Sequence, residues 1–128
     1  MLAIFTTMKW APTLFIVVGI SLASHSPGAT IDTVMGTTKL HGLGLDIIYH
    51  ICSFAFLTIS VLLAYKVRTC TTLVLISSAI CIFGIIDELH QGFISGRTSS
   101  VSDMILNGVG VITTIGLLLI IKNIKRYD

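Results

Sequence analysis

The chain has 128 residues, of which 54% are hydrophobic and 11% are charged, and its formal net charge is +2. Because soluble domains carry about 25% charged residues, this composition excludes an ordinary soluble protein and predicts an integral membrane protein. The small net charge gives no indication of nucleic-acid binding. The length suits a single domain, which we place over residues 1–128.

Four apolar runs follow one another along the chain, at residues 10–31, 47–65, 69–86 and 104–121. Crossing the hydrocarbon core takes about 20 apolar residues in a helix, and over runs of this length only a helix satisfies its own backbone hydrogen bonds. We therefore predict an all-α membrane protein, a bundle of four transmembrane helices at about residues 9–26, 46–65, 70–91 and 103–121. We expect the first run to be retained as a helix and not to be cleaved as a signal peptide, because His25 and Pro27 interrupt the small residues that a cleavage site needs.

Basic residues predict how these helices are oriented. If the helices alternate in direction, six basic residues lie on one side of the membrane and two on the other. The larger set is Lys9, Lys66, Arg68, Lys122, Lys125 and Arg126, and the smaller set is Lys39 and Arg97. Because basic residues concentrate on the cytoplasmic side, we expect a multi-pass protein of the cell membrane with both termini in the cytoplasm. The segment from residue 25 to residue 45, which is rich in Ser, Gly and Thr, is then expected to form an outer loop in which His25 is solvated.

Polar side chains gather at the predicted outer ends of three helices. These groups are Asp46 and His50 in the second helix, Asp87, Glu88, His90 and Gln91 in the third, and Asp103 and Asn107 in the fourth. At spacings of three and four residues, which share a helix face, each group continues inward as a stripe of mostly small and polar residues. The stripes contain Ser53, Leu57, Ser60 and Ala64, then Ser77 and Gly84, then Gly110 and Thr114. Such stripes let membrane helices approach closely, so we expect the three polar ends to meet.

Gly92 and Gly96 flank the turn after the third helix, and Arg97 follows directly. Glycine supplies the backbone angles that a tight reversal of the chain needs. A guanidinium group makes bidentate bonds with a carboxylate or a phosphate, so we expect Arg97 to bind Asp87, Glu88 or Asp103. Asp103 also precedes the fourth apolar run, where we expect it to cap the helix.

One motif includes most of these residues: Asp-Glu-x-x-Gln-x-Phe, then Gly-Arg, then Asp-x-x-x-Asn-x-x-Gly. It is formed by Asp87, Glu88, Gln91, Phe93, Gly96, Arg97, Asp103, Asn107 and Gly110. With it the chain resembles the VanZ-like family of small integral membrane proteins. A second family element, Asp-Lys-x-x-His, is matched by Asp46 and His50, with Ile47 in place of the lysine, and Ser95 stands where the family often has proline. The resemblance, from about the second helix onward, implies a link to glycopeptide (teicoplanin) resistance but no defined activity.

We consider three classes of function for the polar cluster. An enzyme acting on a lipid-linked or cell-wall headgroup would use Asp87, Glu88 and His50 as catalytic residues, because carboxylates and histidine act as general acids and bases. A binding protein for an amphiphile of the outer leaflet would use Arg97, Gln91, Asp46, Asp103 and Asn107 as ligand-binding residues. A structural, assembly or transport subunit would need the charges only as a salt-bridge network that holds helices together.

We favour a polar, outward-facing site that binds or modifies an outer-leaflet amphiphile or a cell-envelope component, and leave open whether the protein is an enzyme. The expected partner is a membrane lipid or another amphiphile, and the small-residue faces could join copies into an oligomer. We predict no cofactor. A divalent metal could bind a set formed by His50, Asp87, Glu88 and His90, but its spacing is not a standard ligand motif, so no metal site is predicted.

Overall fold

The computed structural model describes residues 2–26, 45–65, 67 and 69–127, with side chains described from Lys9 to Ile121 within these ranges, except at residue 45. They form four helices: α1 (Leu2–His25), α2 (Leu45–Ala64), α3 (Cys70–Gln91) and α4 (Val101–Tyr127). The described residues contain no strand, so the all-α prediction is confirmed. The side chains of six of the basic residues used for orientation lie outside the described ones: Lys39, Lys66, Arg68, Lys122, Lys125 and Arg126.

Three helices are long and apolar enough to cross a membrane. The qualifying segments are Asp46–Ala64, Cys70–Gln91 and Val101–Ile121, with mean hydropathies of 2.1, 2.1 and 2.3. Helix α1 begins at Leu2, earlier than the predicted start near residue 9. Large apolar side chains point outward along the bundle, including Phe15, Leu63 and Ile112, which are 81%, 78% and 70% exposed. Such an exterior suits lipid as its surroundings, because exposed apolar surface of this extent is rare on soluble monomers.

Local capping explains where α3 and α4 begin. The Thr69 hydroxyl accepts a hydrogen bond of 3.1 Å from the Thr72 amide, which is the usual role of threonine before a helix. The residue that caps the start of α4 is Ser100, whose hydroxyl accepts a hydrogen bond of 3.4 Å from the Asp103 amide. The expectation that Asp103 caps α4 is therefore wrong. Asp103 lies in the first turn instead, where its charge is favourable beside the positive end of the helix dipole.

Helices α2 and α4 approach each other closely at Gly110. A methyl group on this residue would collide with the carbonyl oxygen of Ile51 and lie 3.2 Å from the Ala55 nitrogen. On α3, a methyl group at Gly84 would lie 2.8 Å from the Phe54 ring. The small residues of the stripes are thus what brings α2, α3 and α4 together, as predicted from their spacing.

The apolar core lies along the same stripes and is small. Its buried members are Ile20, Phe54, Leu57, Ile80 and Val111. Helix α1 contributes Ile20 and packs against both α2 and α3. The C-terminal ends of α1 and α3 and the N-terminal ends of α2 and α4 meet at one end of the bundle. We call this the site end, because the polar residues singled out in the sequence lie there.

Candidate functional site

The last turn of α3 supplies three buried polar side chains at the site end. Asp87 is 8% exposed, Gln91 is 4% exposed and Glu88 is fully buried. Because consecutive residues point about 100° apart on a helix, the two adjacent carboxylates face different neighbours. Asp87 faces α1, whereas Glu88 faces α2 and the start of α4. Buried ionisable groups in a membrane helix are costly and mark functional sites.

The Asp87 side of the site is completed by α1. The Ser24 hydroxyl, which is 2% exposed, donates a hydrogen bond of 2.6 Å to Asp87 Oδ2. The same carboxylate oxygen accepts from Gln91 Nε2 at 3.2 Å. Two donors at one oxygen offset much of the cost of burying a carboxylate. Nothing in the sequence indicated this contact, because Ser24 stands next to the segment that was expected to form the outer loop.

The Glu88 side of the site is completed by the chain before α4 and by α2. Glu88 Oε1 accepts from the Ser100 amide at 2.8 Å, and Oε2 accepts from Gln91 Nε2 at 3.1 Å. On α2, His50 Nδ1 lies 3.0 Å from Asn107 Oδ1, and His50 Nε2 lies 3.8 Å from Asp103 Oδ2. The predicted meeting of α2, α3 and α4 through these residues is therefore present in the structure.

Gln91 connects the two sides of the site. Its Nε2 lies within hydrogen-bond distance of Asp87, Glu88 and the Ser24 hydroxyl, at 3.2, 3.1 and 3.4 Å. Its Oε1 accepts from Arg97 Nη1 at 2.9 Å. A guanidinium group can only donate, so it fixes which end of the amide is the oxygen. The NH₂ group must then face the carboxylates.

Arg97 reaches α1 rather than a carboxylate. Its Nη2 donates to the Ala23 carbonyl at 2.6 Å and its Nε donates to the Ser26 carbonyl at 3.4 Å. Within the described part of the chain, no arginine or lysine nitrogen lies within 4.0 Å of a carboxylate oxygen. The predicted ion pair of Arg97 with a carboxylate is therefore wrong. The guanidinium binds carbonyls at the C-terminal end of α1, where the helix dipole favours a positive charge.

The loop before α4 has the conformation that allows this reach. Gly96 has φ = 77°, in the left-handed region that side-chain-bearing residues rarely occupy. The Arg97 amide donates to the Ile94 carbonyl at 3.1 Å, which closes a turn. Gly96 thus turns the chain directly before Arg97, and the expectation of a tight reversal is met there. Gly92 has φ = −61°, which any residue can adopt, so the expectation that it supplies a special backbone angle is wrong.

A groove of about 470 Å³ runs between α1 and α3 up to the site end. Most of its lining is apolar, and the polar groups lie at or near one end. The apolar residues are Val17, Val18, Leu22, Phe83 and Ile86, and the others are Ser21, His25, Asp87 and His90. At its polar end the rings of His25 and His90 stack with centroids 5.6 Å apart. His25, expected in a solvated loop, is therefore the last residue of α1 and part of this rim.

The residues considered as a metal set do not all come together. Asp87 and His90 line the groove, whereas His50 and Glu88 lie on the other side of α3 with Asp103. One ligand atom from each of His50, Glu88 and Asp103 lies within 4.8 Å of the other two. Asp46, the remaining ligand-binding candidate, has an exposed side chain at the start of α2.

A family model described as VanZ/LLP1 matches residues 24–122. No curated protein and no solved structure matches the chain. The matched segment begins at Ser24, so it contains every residue of the hydrogen-bond network described above apart from the Ala23 carbonyl.

Proposed function

Because the chain belongs to the VanZ/LLP1 family, we propose that it is a cell-membrane protein that binds an amphiphile of the outer leaflet at its site end. The observation that carries this proposal is the groove between α1 and α3. Its volume of about 470 Å³ lies within the range of small-molecule sites in proteins. An acyl chain would lie against its apolar wall, and the polar headgroup would contact the rim at its end.

The rim has the chemistry to hold a polar headgroup. His25 and His90 are both exposed, and His25 Nδ1 lies 3.4 Å from His90 Nε2. Asp87 lies behind them, fixed by Ser24 and Gln91. Histidines can donate to phosphate or carbohydrate oxygens and accept from hydroxyl groups. An apolar pocket with few fixed polar groups at one end is the usual arrangement of a site for such a ligand.

In this proposal α1 also crosses the membrane, which makes four transmembrane helices. Its 24 residues correspond to about 36 Å at 1.5 Å per residue, more than the roughly 30 Å of the hydrocarbon core. The excess of basic residues on one side supports cytoplasmic termini and an outward-facing site. The site would then meet lipids and cell-envelope components from outside, which agrees with the link of the family's name to glycopeptide resistance.

Cysteine labelling tests this topology. In a variant whose Cys52, Cys70 and Cys81 are replaced by alanine, Ser99→Cys and Thr71→Cys each place one thiol at an exposed position. We expect an impermeant maleimide added to intact cells to label the first variant and not the second. Labelling of both variants after permeabilisation is the control, and the opposite pattern in intact cells would contradict the proposed orientation.

Filling the groove tests the binding proposal. Ser21 lines the groove and is exposed, so Ser21→Phe would occupy the space of the acyl chain. Ser78 is exposed on α3 outside the groove lining, so Ser78→Phe is the matched control. We expect native mass spectrometry of the detergent-purified protein to show a bound amphiphile with the unaltered chain and with Ser78→Phe. The Ser21→Phe variant should lose it, and equal retention by both variants would contradict the proposal.

A purely structural role of the polar cluster is the second candidate. It is favoured by the hydrogen bonds of Arg97, which tie the loop before α4 to the end of α1. The Ser21→Phe variant separates the two candidates. Its phenotype is measured in cells that depend on the protein, for example as their susceptibility to teicoplanin. Ser21→Phe leaves every hydrogen bond of the network in place, so a structural role predicts an unchanged phenotype and binding predicts its loss.

A further inference from the structure

We propose that His50, Glu88 and Asp103 bind a first-row divalent cation of the Zn²⁺ type, at a site separate from the groove. The three ligands come from α2, α3 and α4, and their ligand atoms lie within 4.8 Å of one another. The lining of the groove includes none of the three side chains. The inference therefore does not depend on the binding of an amphiphile.

The distances suit a shared ion better than direct contacts. His50 Nε2 and Asp103 Oδ2 are 3.8 Å apart, which is too far for a hydrogen bond. Zinc lies about 2.0–2.2 Å from nitrogen and oxygen ligands, so two ligand atoms of one ion are separated by about 3–4 Å. Closing all three ligands around an ion would need movements of less than about 1 Å. Asp103 is partly exposed, which leaves its side chain room for such a movement.

Asn107 orients the histidine as metal-binding histidines usually are. Its Oδ1 can only accept, so the hydrogen of the neutral imidazole is on Nδ1 and the lone pair on Nε2. That lone pair and the Asp103 carboxylate then face each other, and a cation between them satisfies both. A hydrogen bond from the second ring nitrogen to a protein oxygen is the common support of a histidine ligand.

Asn107 is 1% exposed, yet its Nδ2 has no hydrogen-bond partner in the described part of the chain. An unpaired buried polar group of this kind calls for an explanation. Among the described residues, only the oxygen of this amide makes a hydrogen bond, and that oxygen orients His50. A requirement to orient His50 therefore accounts for a polar residue in this place.

Charge also points to a cation. Glu88 is fully buried, and both of its oxygens already accept N–H hydrogen bonds, from Ser100 and Gln91. Asp103 lies beside it, and Arg97 is bound elsewhere. Two neighbouring carboxylates with no arginine or lysine nitrogen within 4.0 Å in the described part of the chain are unfavourable where water is scarce. A divalent ion compensates both charges, and one nitrogen with two carboxylate oxygens is a ligand set that Zn²⁺ accepts.

Metal binding by the purified, tag-free full chain in detergent tests the inference, with Zn²⁺ alone as the probe. After treatment with EDTA and dialysis, we expect about one Zn²⁺ per chain by calorimetry and by elemental analysis. Asp103→Asn removes a ligand at a partly exposed position, and we expect it to weaken binding at least about 100-fold, the upper range for loss of a supporting contact. His50→Ala should do the same.

His90→Ala is the matched control, because it removes a histidine at the groove rim and none of the three ligands. Zn²⁺ should raise the melting temperature of the unaltered chain and of His90→Ala, but not that of Asp103→Asn. The inference is overturned if the unaltered chain binds no Zn²⁺. It is also overturned if His90→Ala abolishes binding while Asp103→Asn keeps it. Ser21→Phe should bind Zn²⁺ normally, because Ser21 lines the groove and is not a ligand. Failure of amphiphile binding and failure of Zn²⁺ binding can therefore be told apart.

Discussion

Gly110→Ala is expected to separate α2 from α4 and to destabilise both the bundle and the site. The added methyl group collides with the Ile51 carbonyl, which is backbone and cannot rotate away. Ordinary contact would be restored only if the two helices moved apart by about 1 Å. The hydrogen bond of 3.0 Å between His50 and Asn107 spans the same two helices, so that movement would break it.

The size of the effect follows from three contributions. Forcing an extra methyl group into a tight contact costs about 1–3 kcal/mol, and the lost hydrogen bond costs about 1 kcal/mol. Alanine regains up to about 1 kcal/mol of helix propensity relative to glycine. The free energy of unfolding should therefore fall by about 1–3 kcal/mol. Nothing lies within 4 Å of a methyl group at Gly108, so Gly108→Ala should be neutral or slightly stabilising.

Denaturant unfolding of the purified protein in detergent measures both variants. The two substitutions are chemically identical and lie two residues apart on α4, so their difference reports only the contact with α2. Equal stability of Gly110→Ala and Gly108→Ala would refute the close approach. Zn²⁺ binding provides a second readout, because only Gly110→Ala should move Asp103 and Asn107 away from His50.

Two further substitutions test the hydrogen-bond network. Arg97→Lys keeps the charge but cannot bond Gln91 and the Ala23 carbonyl in the planar arrangement of a guanidinium; we expect a loss of about 1–3 kcal/mol, and unchanged thermal unfolding would contradict these contacts. Ser24→Ala removes the 2.6 Å hydrogen bond to Asp87 and should cost about 1.5–3 kcal/mol. Ser21→Ala, on an exposed position of the same helix, should cost much less, so equal melting temperatures of the two alanine variants would count against the contact.

The spacing of residues along each helix predicted much of this arrangement. Offsets of three and four residues placed Glu88, Gln91 and Asn107 on inward faces, and all three are buried. The same offsets predicted that small residues such as Gly84 and Gly110 would lie between helices, where a methyl group would clash. These inferences succeed because a regular helix fixes the direction of every side chain relative to its neighbours.

The partners of Arg97 and the role of α1 could not be predicted in this way. Arg97 follows Gly96, whose positive φ redirects the chain, and it binds backbone carbonyls that every residue possesses. Backbone acceptors carry no sequence signal, so an acidic side chain was the natural expectation. Ser24 was missed because serine and glycine near the end of an apolar run also indicate a loop. The sequence does not say where α1 ends relative to α3.

The amide of Gln91 has two hydrogens but three acceptors within reach: Ser24, Asp87 and Glu88. If Glu88 no longer accepts a hydrogen bond, the freed hydrogen of Gln91 can bond Ser24 or Asp87 on the α1 side. If the α1 side no longer accepts, the freed hydrogen can bond Glu88. Thermodynamic linkage makes such an effect reciprocal. One side chain therefore couples the hydrogen bonding of Asp87 to that of Glu88, and the bond from Arg97 keeps the amide from reversing its orientation.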